Sequence, residues 1–214
     1  MKLKIWIVFL SSVLSTQGFW LFKQARHPHY ENLKTGDVVF QDTGGEQGTA
    51  VRAATKSNYT HCGVVFKSDG KLYVFEAIQP VSVIPLNAWK ARSSVFHARR
   101  LKNGALLTQR NIEKATQWGL SQLDKNYDAL FQWGDDELYC SELVWKVYHE
   151  ATGLKLCEPR PFSAYFLDDP AVLKIVRSRY GELEELPKNE PVVAPSDLAK
   201  SPLLEEVPHR STKR

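Results

Sequence analysis

The chain has 214 residues, of which 43% are hydrophobic and 24% are charged, and its formal net charge is +4. This is an ordinary globular composition, and the length suits one domain with extensions. The cations are scattered rather than arranged in a stripe, so the sequence gives little support for a nucleic-acid partner. Three cysteines cannot all pair, and they form no CxxC motif, which argues against a disulfide framework and against a zinc cluster. At least one thiol should therefore be free.

The N-terminus has the features of a targeting segment. Two lysines precede the apolar run 5–14, and small residues suited to a cleavage site follow it. Because the apolar stretch continues through 19–22, an uncleaved membrane anchor is the alternative, and a buried helix is a third interpretation. We expect residues 1–22 to be a signal peptide or membrane anchor. The domain would then be exported, to the periplasm or cell envelope, with membrane association through the N-terminus if the anchor is retained.

The rest of the chain indicates one α+β domain between short extensions. Residues 23–32 should be a linker, 33–207 the domain and 208–214 a disordered tail. In chain order, the expected elements are a strand within 33–40, a glycine-rich loop at 41–48, a short helix at 49–57, a hairpin at 60–78, a strand at 93–101, and helices at 108–124 and 139–152. Beyond these the sequence turns irregular, with an edge-strand candidate at 192–193. The fold class is therefore a small antiparallel sheet packed with helices.

The hairpin brings two chemically active residues together. Its two β-rich runs flank an Asp-Gly pair at positions 69 and 70, a strong signal for a two-residue turn. In that register His61, Gly63 and Glu76 share one face, and His61 and Glu76 are diagonal neighbours about 7–8 Å apart at their Cα atoms. Their side chains can bridge this gap. A three-residue loop would shift the register by one residue and place His61 and Glu76 on opposite faces. The same alternation turns Cys62 to the opposite, apolar face, where we expect a buried core residue.

Cys140 lies in the first turn of a predicted amphipathic helix. The apolar stripe that begins at Cys140 continues at helical spacings, and Gly153 is a suitable C-terminal stop. The unpaired N–H groups and the positive dipole end of a helix stabilise a thiolate and can donate to an oxyanion. This position suits a nucleophile. The alternative is an ordinary core cysteine, since free cysteines are commonly buried.

Several other residues are candidates for a site or for a structural role. Tyr127, Trp133 and Tyr139 cluster before the cysteine helix and are candidates for lining a substrate cleft, although an aromatic cluster also suits a core. His97 is interpreted as a sheet or surface histidine, because nothing in the sequence nearby would activate it. Cys157 follows the helix and is interpreted as structural.

Five motifs resemble those of a known family. In chain order they are LKTGDVVF, YTHCGVVF, YVFEA, YCSELV and APSDL, and together they resemble the YiiX/YaeF-like family of permuted papain-like, NlpC-type cysteine amidases. The resemblance spans about residues 33–207. It implies a permuted papain-like fold in which Cys140 is the nucleophile, His61 the base and Glu76 the orienting third member. It also implies substrates with amide or ester bonds in cell-wall peptides or lipids.

The expected function is a thiol-dependent hydrolase that cleaves an amide through an acyl-thioester on Cys140. His61 would take the thiol proton and Glu76 would fix the imidazole tautomer, a division of labour that needs no metal or organic cofactor. The substrate would be a small peptide or a lipid amide. One alternative is an acyltransferase or esterase of the lecithin:retinol acyltransferase type, and another is a non-catalytic envelope binding module.

Overall fold

The structure is a computed structural model that describes residues 30 and 32–209. The expected signal or anchor at 1–22, most of the expected linker at 23–32 and the end of the expected tail lie outside these residues. Tyr30, from the end of the linker, is buried, and its hydroxyl accepts a hydrogen bond from the Ala98 N–H at 3.2 Å. No helix within the described part of the chain is long and apolar enough to cross a membrane.

The centre of the fold is an antiparallel sheet. The strands of the described residues are β1 (Val38–Gln41), β2 (His61–Ser68), β3 (Lys71–Ala77), β4 (Val81–Pro85), β5 (His97–Leu101), β6 (Arg160–Pro161), β7 (Pro191–Val192) and β8 (Leu204–Glu206). Six of them form one sheet in the order β4-β3-β2-β1-β5-β8, and β6 pairs with β7 separately. Every pairing between these strands is antiparallel.

Helices cover the sheet and extend beyond it. Over residues 32–209 they are α1 (Gly45–Thr55), α2 (Leu86–Ala91), α3 (Gln109–Ser121), α4 (Cys140–Thr152), α5 (Pro170–Tyr180) and α6 (Pro195–Ala199). Short 3₁₀ helices lie at Gly104–Leu106, Phe162–Ala164 and Leu183–Glu185. Helix α4 packs against α3 and against β2 and β3, whereas α1 packs against α5.

Both faces of the sheet are buried. One face, with Phe40 and Cys62, packs against Leu143 of α4 in the main core. The opposite face, with Val65, packs against Trp89 of α2 in a second core. Burial on both sides explains why residues 38–40 of β1 and 64–66 of β2 are apolar without alternation.

The hairpin and the two long helices agree with the sequence-based predictions. Val64 pairs with Phe75, which is the predicted register. Asp69 and Gly70 have φ of 48° and 78°, as a type I′ turn requires. Helix α4 ends at Gly153 in the left-handed conformation, as expected of its C-terminal stop.

Other predictions of secondary structure were wrong. The glycine-rich loop expected at 41–48 is shorter, because Gly44 and Gly45, at φ of 65° and 67°, turn the chain directly into α1. The segment beyond 153, expected to be irregular, contains α5, α6 and β8. Helix α5 has ordinary start signals: the Asp169 side chain accepts from the Ala171 N–H, and Pro170 occupies the first helical position.

Candidate active site

Cys140 is the first residue of α4. The Glu142 carboxylate, in the first turn, accepts a hydrogen bond from the Tyr139 N–H at 3.4 Å and another from the Gly134 N–H at 3.1 Å. These bonds fix the chain that leads into the helix. The buried sulfur of Cys140 therefore lies at the positive end of the α4 dipole.

His61 and Glu76 form the predicted contact between β2 and β3. The Nε2 atom of His61 lies 2.6 Å from Oε2 of Glu76, and both side chains are buried. Glu76 also accepts from Nε1 of Trp89 at 2.9 Å and from Arg92 at 2.6 Å. Because a carboxylate only accepts, Nε2 of His61 carries a proton, and Nδ1 is the nitrogen available to Cys140.

Gly63 makes room for this arrangement. A Cβ atom at position 63 would lie 2.5 Å from Cγ1 of Val74 and 2.8 Å from the carbonyl oxygen of Phe75. Both distances are far below van der Waals contact, so only glycine fits between the two strands here. The close approach of β2 and β3 brings Glu76 within reach of His61.

His61 is charged at neutral pH. Burial alone would lower its pKa, but hydrogen bonds with Cys140 and Glu76, together with their negative charges, raise the pKa of His61 to about 9. Burial alone would likewise raise the pKa of Glu76, whereas its hydrogen bond to His61 and the charges of His61 and Arg92 lower that pKa below its usual value. Glu76 is therefore the ionised partner of an imidazolium.

Cys140 is the anionic member of the pair. A hydrogen bond from the Cys62 thiol lowers the pKa of Cys140 most; burial opposes this effect, and the hydrogen bond and charge of His61 add to it. The net effect holds the pKa of Cys140 well below its usual value. Burial and the interaction with Cys140 raise the pKa of Cys62 well above its usual value, so Cys62 stays a thiol and a donor. The site thus holds a thiolate–imidazolium pair.

A cleft runs from Cys140 between α1 and α5. Apolar atoms form nearly all of its surface. Tyr127 and Tyr139, two of the three aromatic residues proposed from the sequence, line this cleft. Trp133, the third, is not in its wall: its ring packs edge-on against Trp145 at 5.1 Å.

Tyr127 is placed beside the nucleophile. A β-bridge to Leu138 holds it near the start of α4. Its hydroxyl accepts from Nε2 of Gln47 at 2.9 Å, and Arg179 donates to the Oε1 atom of the same Gln47. Burial and the charge of Cys140 raise the pKa of Tyr127 well above its usual value. Tyr127 is therefore neutral and keeps a proton that it can donate.

The remaining candidates lie away from this site. His97 stacks on Tyr59 with ring centroids 5.3 Å apart, and its Nε2 atom is 3.6 Å from Glu206. Cys157 is half-buried, and burial raises its pKa to about 12, so it is an unreactive thiol at neutral pH.

Sequence reasoning missed the partners that surround the triad. The sequence does contain a signal for Cys62. This residue lies on the apolar face of the hairpin, and α4, which carries Cys140, packs on that face. A fully buried carboxylate also requires several donors, but nothing in the sequence pointed to Trp89 or Arg92. Gln47 and Arg179 come from elements far apart in the chain.

Comparison with known proteins identifies the family. Residues 32–208 match the family described as permuted papain-like amidase enzymes, YaeF/YiiX, C92 family. The chain belongs to the YaeF/YiiX family. The uncharacterized protein YiiX of Escherichia coli K12 is 36% identical over 176 residues, which cover 81% of this chain and 85% of that protein. A crystal structure of YiiX from Escherichia coli O157:H7, described as a metalloprotein, has a TM-score of 0.77 and 36% identity over 83% of this chain and 97% of that chain.

Membership in the YaeF/YiiX family confirms the permuted papain-like α+β fold that the five motifs imply. The strand that begins with His61 precedes the helix that begins with Cys140, the order implied by the resemblance. Because the YaeF/YiiX family is one of papain-like amidases, it supports amidase or hydrolase activity in general.

Proposed function

We propose that the chain is a thiol-dependent hydrolase that cleaves an amide bond through an acyl-thioester on Cys140. The observation that carries the proposal is the buried pair of Cys140, at a helix start, and His61, held by Glu76 at 2.6 Å. Such a pair supplies a nucleophile and a general acid in one place. A binding module would gain nothing from burying three ionisable side chains in contact.

In the acylation step, the Cys140 thiolate attacks the carbonyl carbon. The backbone N–H of Cys140 and the hydroxyl of Tyr127 are the donors that we assign to the oxyanion. The imidazolium of His61 gives its Nδ1 proton to the leaving nitrogen, the C–N bond breaks, and the acyl group remains on sulfur as a thioester.

In the deacylation step, neutral His61 takes a proton from water as the water oxygen attacks the thioester. The C–S bond breaks, the carboxylic acid leaves, and the thiolate–imidazolium pair is restored. Glu76 keeps its proton-free form throughout and stabilises the imidazolium in both steps.

A resident metal does not fit these residues. The related YiiX structure is described as that of a metalloprotein, yet within residues 30–209, as far as they are described, no group of three or more His, Cys, Asp or Glu side chains could hold a metal ion. Zinc sites in proteins use at least three such ligands. No step is therefore assigned to a metal.

The proposal is tested by variants of the triad. Cys140→Ala and His61→Ala should each abolish turnover of an amide substrate, because the first has no nucleophile and the second no proton carrier. Glu76→Gln should leave reduced activity, since Glu76 acts only through His61. For the same reason His61→Ala combined with Glu76→Gln should be no slower than His61→Ala alone.

Two further variants complete this experiment. Cys157→Ala is the matched control and should keep full activity. Tyr127→Phe should lower kcat about 10²- to 10³-fold, the loss typical of one oxyanion donor. Full activity of Glu76→Gln, on a substrate that His61→Ala cannot turn over, would refute the role given to Glu76.

Acyl transfer to a lipid alcohol is the second candidate, favoured by the apolar cleft beside Cys140. Both reactions pass through the same thioester, so the product separates them. Release of the free carboxylic acid in the presence of an added long-chain alcohol supports hydrolysis, whereas formation of the ester supports transfer.

A further inference from the structure

Aliphatic and aromatic side chains form most of the wall of the cleft beside Cys140. Helix α1 contributes Ala50 and Ala54, helix α5 contributes Val172, Ile175 and Val176, and Leu186 closes one side. Both helices belong to a small apolar core of their own, separate from the two cores of the sheet. The cleft is therefore a gap between this third core and the nucleophile.

The polar side chains in the wall are already bonded to protein groups. Gln47 lies between Tyr127 and Arg179, as described above. The Ser141 hydroxyl donates to the Val193 carbonyl at 2.6 Å, and the Tyr180 hydroxyl donates to the Leu130 carbonyl. The remaining polar side chains of the wall, those of Thr55, Thr60, Tyr139 and Tyr165, also have partners.

This wall is unsuited to a peptide. Each peptide unit brings an N–H and a carbonyl that need partners when they leave water, and burying them without partners is costly. An aliphatic chain has no such requirement, and each of its methylene groups gains from leaving water. The chemistry of the wall therefore favours a hydrocarbon ligand.

We propose that this cleft holds the aliphatic chain of the acyl group, so that the substrates are amides of long-chain fatty acids. The inference rests on the proposed function and names its substrate class. The cleft reaches Cys140 itself, which places the carbonyl at the sulfur while the chain extends between α1 and α5. The acyl group stays on the enzyme through both steps, whereas the amine must leave into water as a polar product.

The test is a series of amides of one fluorogenic amine with straight acyl chains from acetyl to decanoyl. We expect kcat/KM to rise about fourfold with each methylene until the cleft is full, the ratio that corresponds to about 0.8 kcal/mol. Peptidyl amides of the same amine should be turned over more slowly than the decanoyl amide. Equal rates across the series, or a preference for the peptidyl amides, would overturn the inference and leave the amidase proposal standing.

A second measurement does not depend on turnover. N-alkyl iodoacetamides alkylate Cys140 with loss of iodide, and their rate can be followed by mass spectrometry of the native protein. The octyl reagent should react with Cys140 faster than the methyl reagent. If this chain-length effect is found but no amide is hydrolysed, the cleft assignment holds and the amidase proposal fails. If the two reagents react at the same rate, the cleft assignment fails.

A substitution in the wall locates the chain. Ala54→Phe should fill part of the cleft and lower the ratio of decanoyl to acetyl turnover about sixteenfold, the equivalent of about two methylenes. Thr49→Phe is the control, since Thr49 is an exposed residue of α1 that does not line the cleft. An unchanged ratio in folded Ala54→Phe, or an equal loss in both variants, would place the chain elsewhere.

Discussion

Cys140 and His61 carry opposite charges in one buried site, and each stabilises the charge of the other. The pair exists only where the thiol has lost its proton and the imidazole has kept one. Its pH range therefore extends from the lowered pKa of Cys140 up to the raised pKa of His61, about 9.

This range predicts the pH dependence of activity. We expect kcat/KM to rise with pH through the low pKa of Cys140, to stay level around neutrality, and to fall as pH rises through about 9, where His61 loses the proton that the leaving amine needs. Glu76→Gln should move the alkaline limb to lower pH, because it removes the negative charge that favours the imidazolium. The measurement is the pH profile of both proteins, and an alkaline limb that does not move in Glu76→Gln would contradict the assignment.

Cys62 is a positioning residue for the thiolate, since its thiol donates to Cys140 and its own pKa is raised. We expect Cys62→Ala to raise the pKa of Cys140 and to slow its alkylation by iodoacetamide at neutral pH. Cys62→Ser, which keeps a donor, should have the smaller effect. In the unmodified protein Cys140 should react far faster than Cys62 or Cys157. Mass spectrometry that found Cys62 and Cys140 equally modified in the folded protein would count against the site.

Local elements of the site follow from local sequence. The Asp-Gly turn fixes the register of β2 and β3, and this register, with the close approach at Gly63, brings His61 to Glu76. The apolar stripe and the following glycine similarly define α4, whose first residue is Cys140. These three residues were predictable because turn chemistry and periodicity act over a few residues.

The surroundings of the triad depend on contacts between distant elements, and sequence patterns do not encode these. Helix α2 has only six residues, too few to show a periodicity, yet it supplies the indole that bonds Glu76. Helix α5 has local start signals at Asp169 and Pro170, but the charged and proline residues around it favour irregular chain. Without α5 the cleft that it forms with α1 could not be anticipated.

The hairpin itself can be tested at Gly63. Gly63→Ala should lower the free energy of unfolding by about 1–3 kcal/mol, because its Cβ would overlap with β3. The displacement of β3 should also disturb the contact of Glu76 with His61 and reduce activity in the fraction that folds. Gly104→Ala is the control, since a Cβ there meets nothing within 4 Å. Urea unfolding of both variants measures the difference, and equal midpoints would contradict the close packing of β2 on β3.

For the whole molecule, we propose that the domain works outside the cytoplasm. The motivation is the N-terminal sequence, in which two lysines precede an apolar run. Fractionation of cells that produce the full chain should find it in the periplasm or envelope. Recovery of soluble, full-length chain from the cytoplasmic fraction would refute this. The same fractions, assayed with fatty acyl amides, would show in which compartment the activity resides.

His61 and Cys62 are consecutive residues that point to opposite faces of the sheet, and both contact Cys140. The two groups that stabilise the thiolate therefore belong to one short stretch of backbone, the start of β2. Their distances to the Cys140 sulfur therefore both depend on how the start of α4 is placed relative to the start of β2. A substitution at Leu143, which packs α4 on the sheet, should accordingly shift the reactivity of Cys140 although it leaves the triad unchanged.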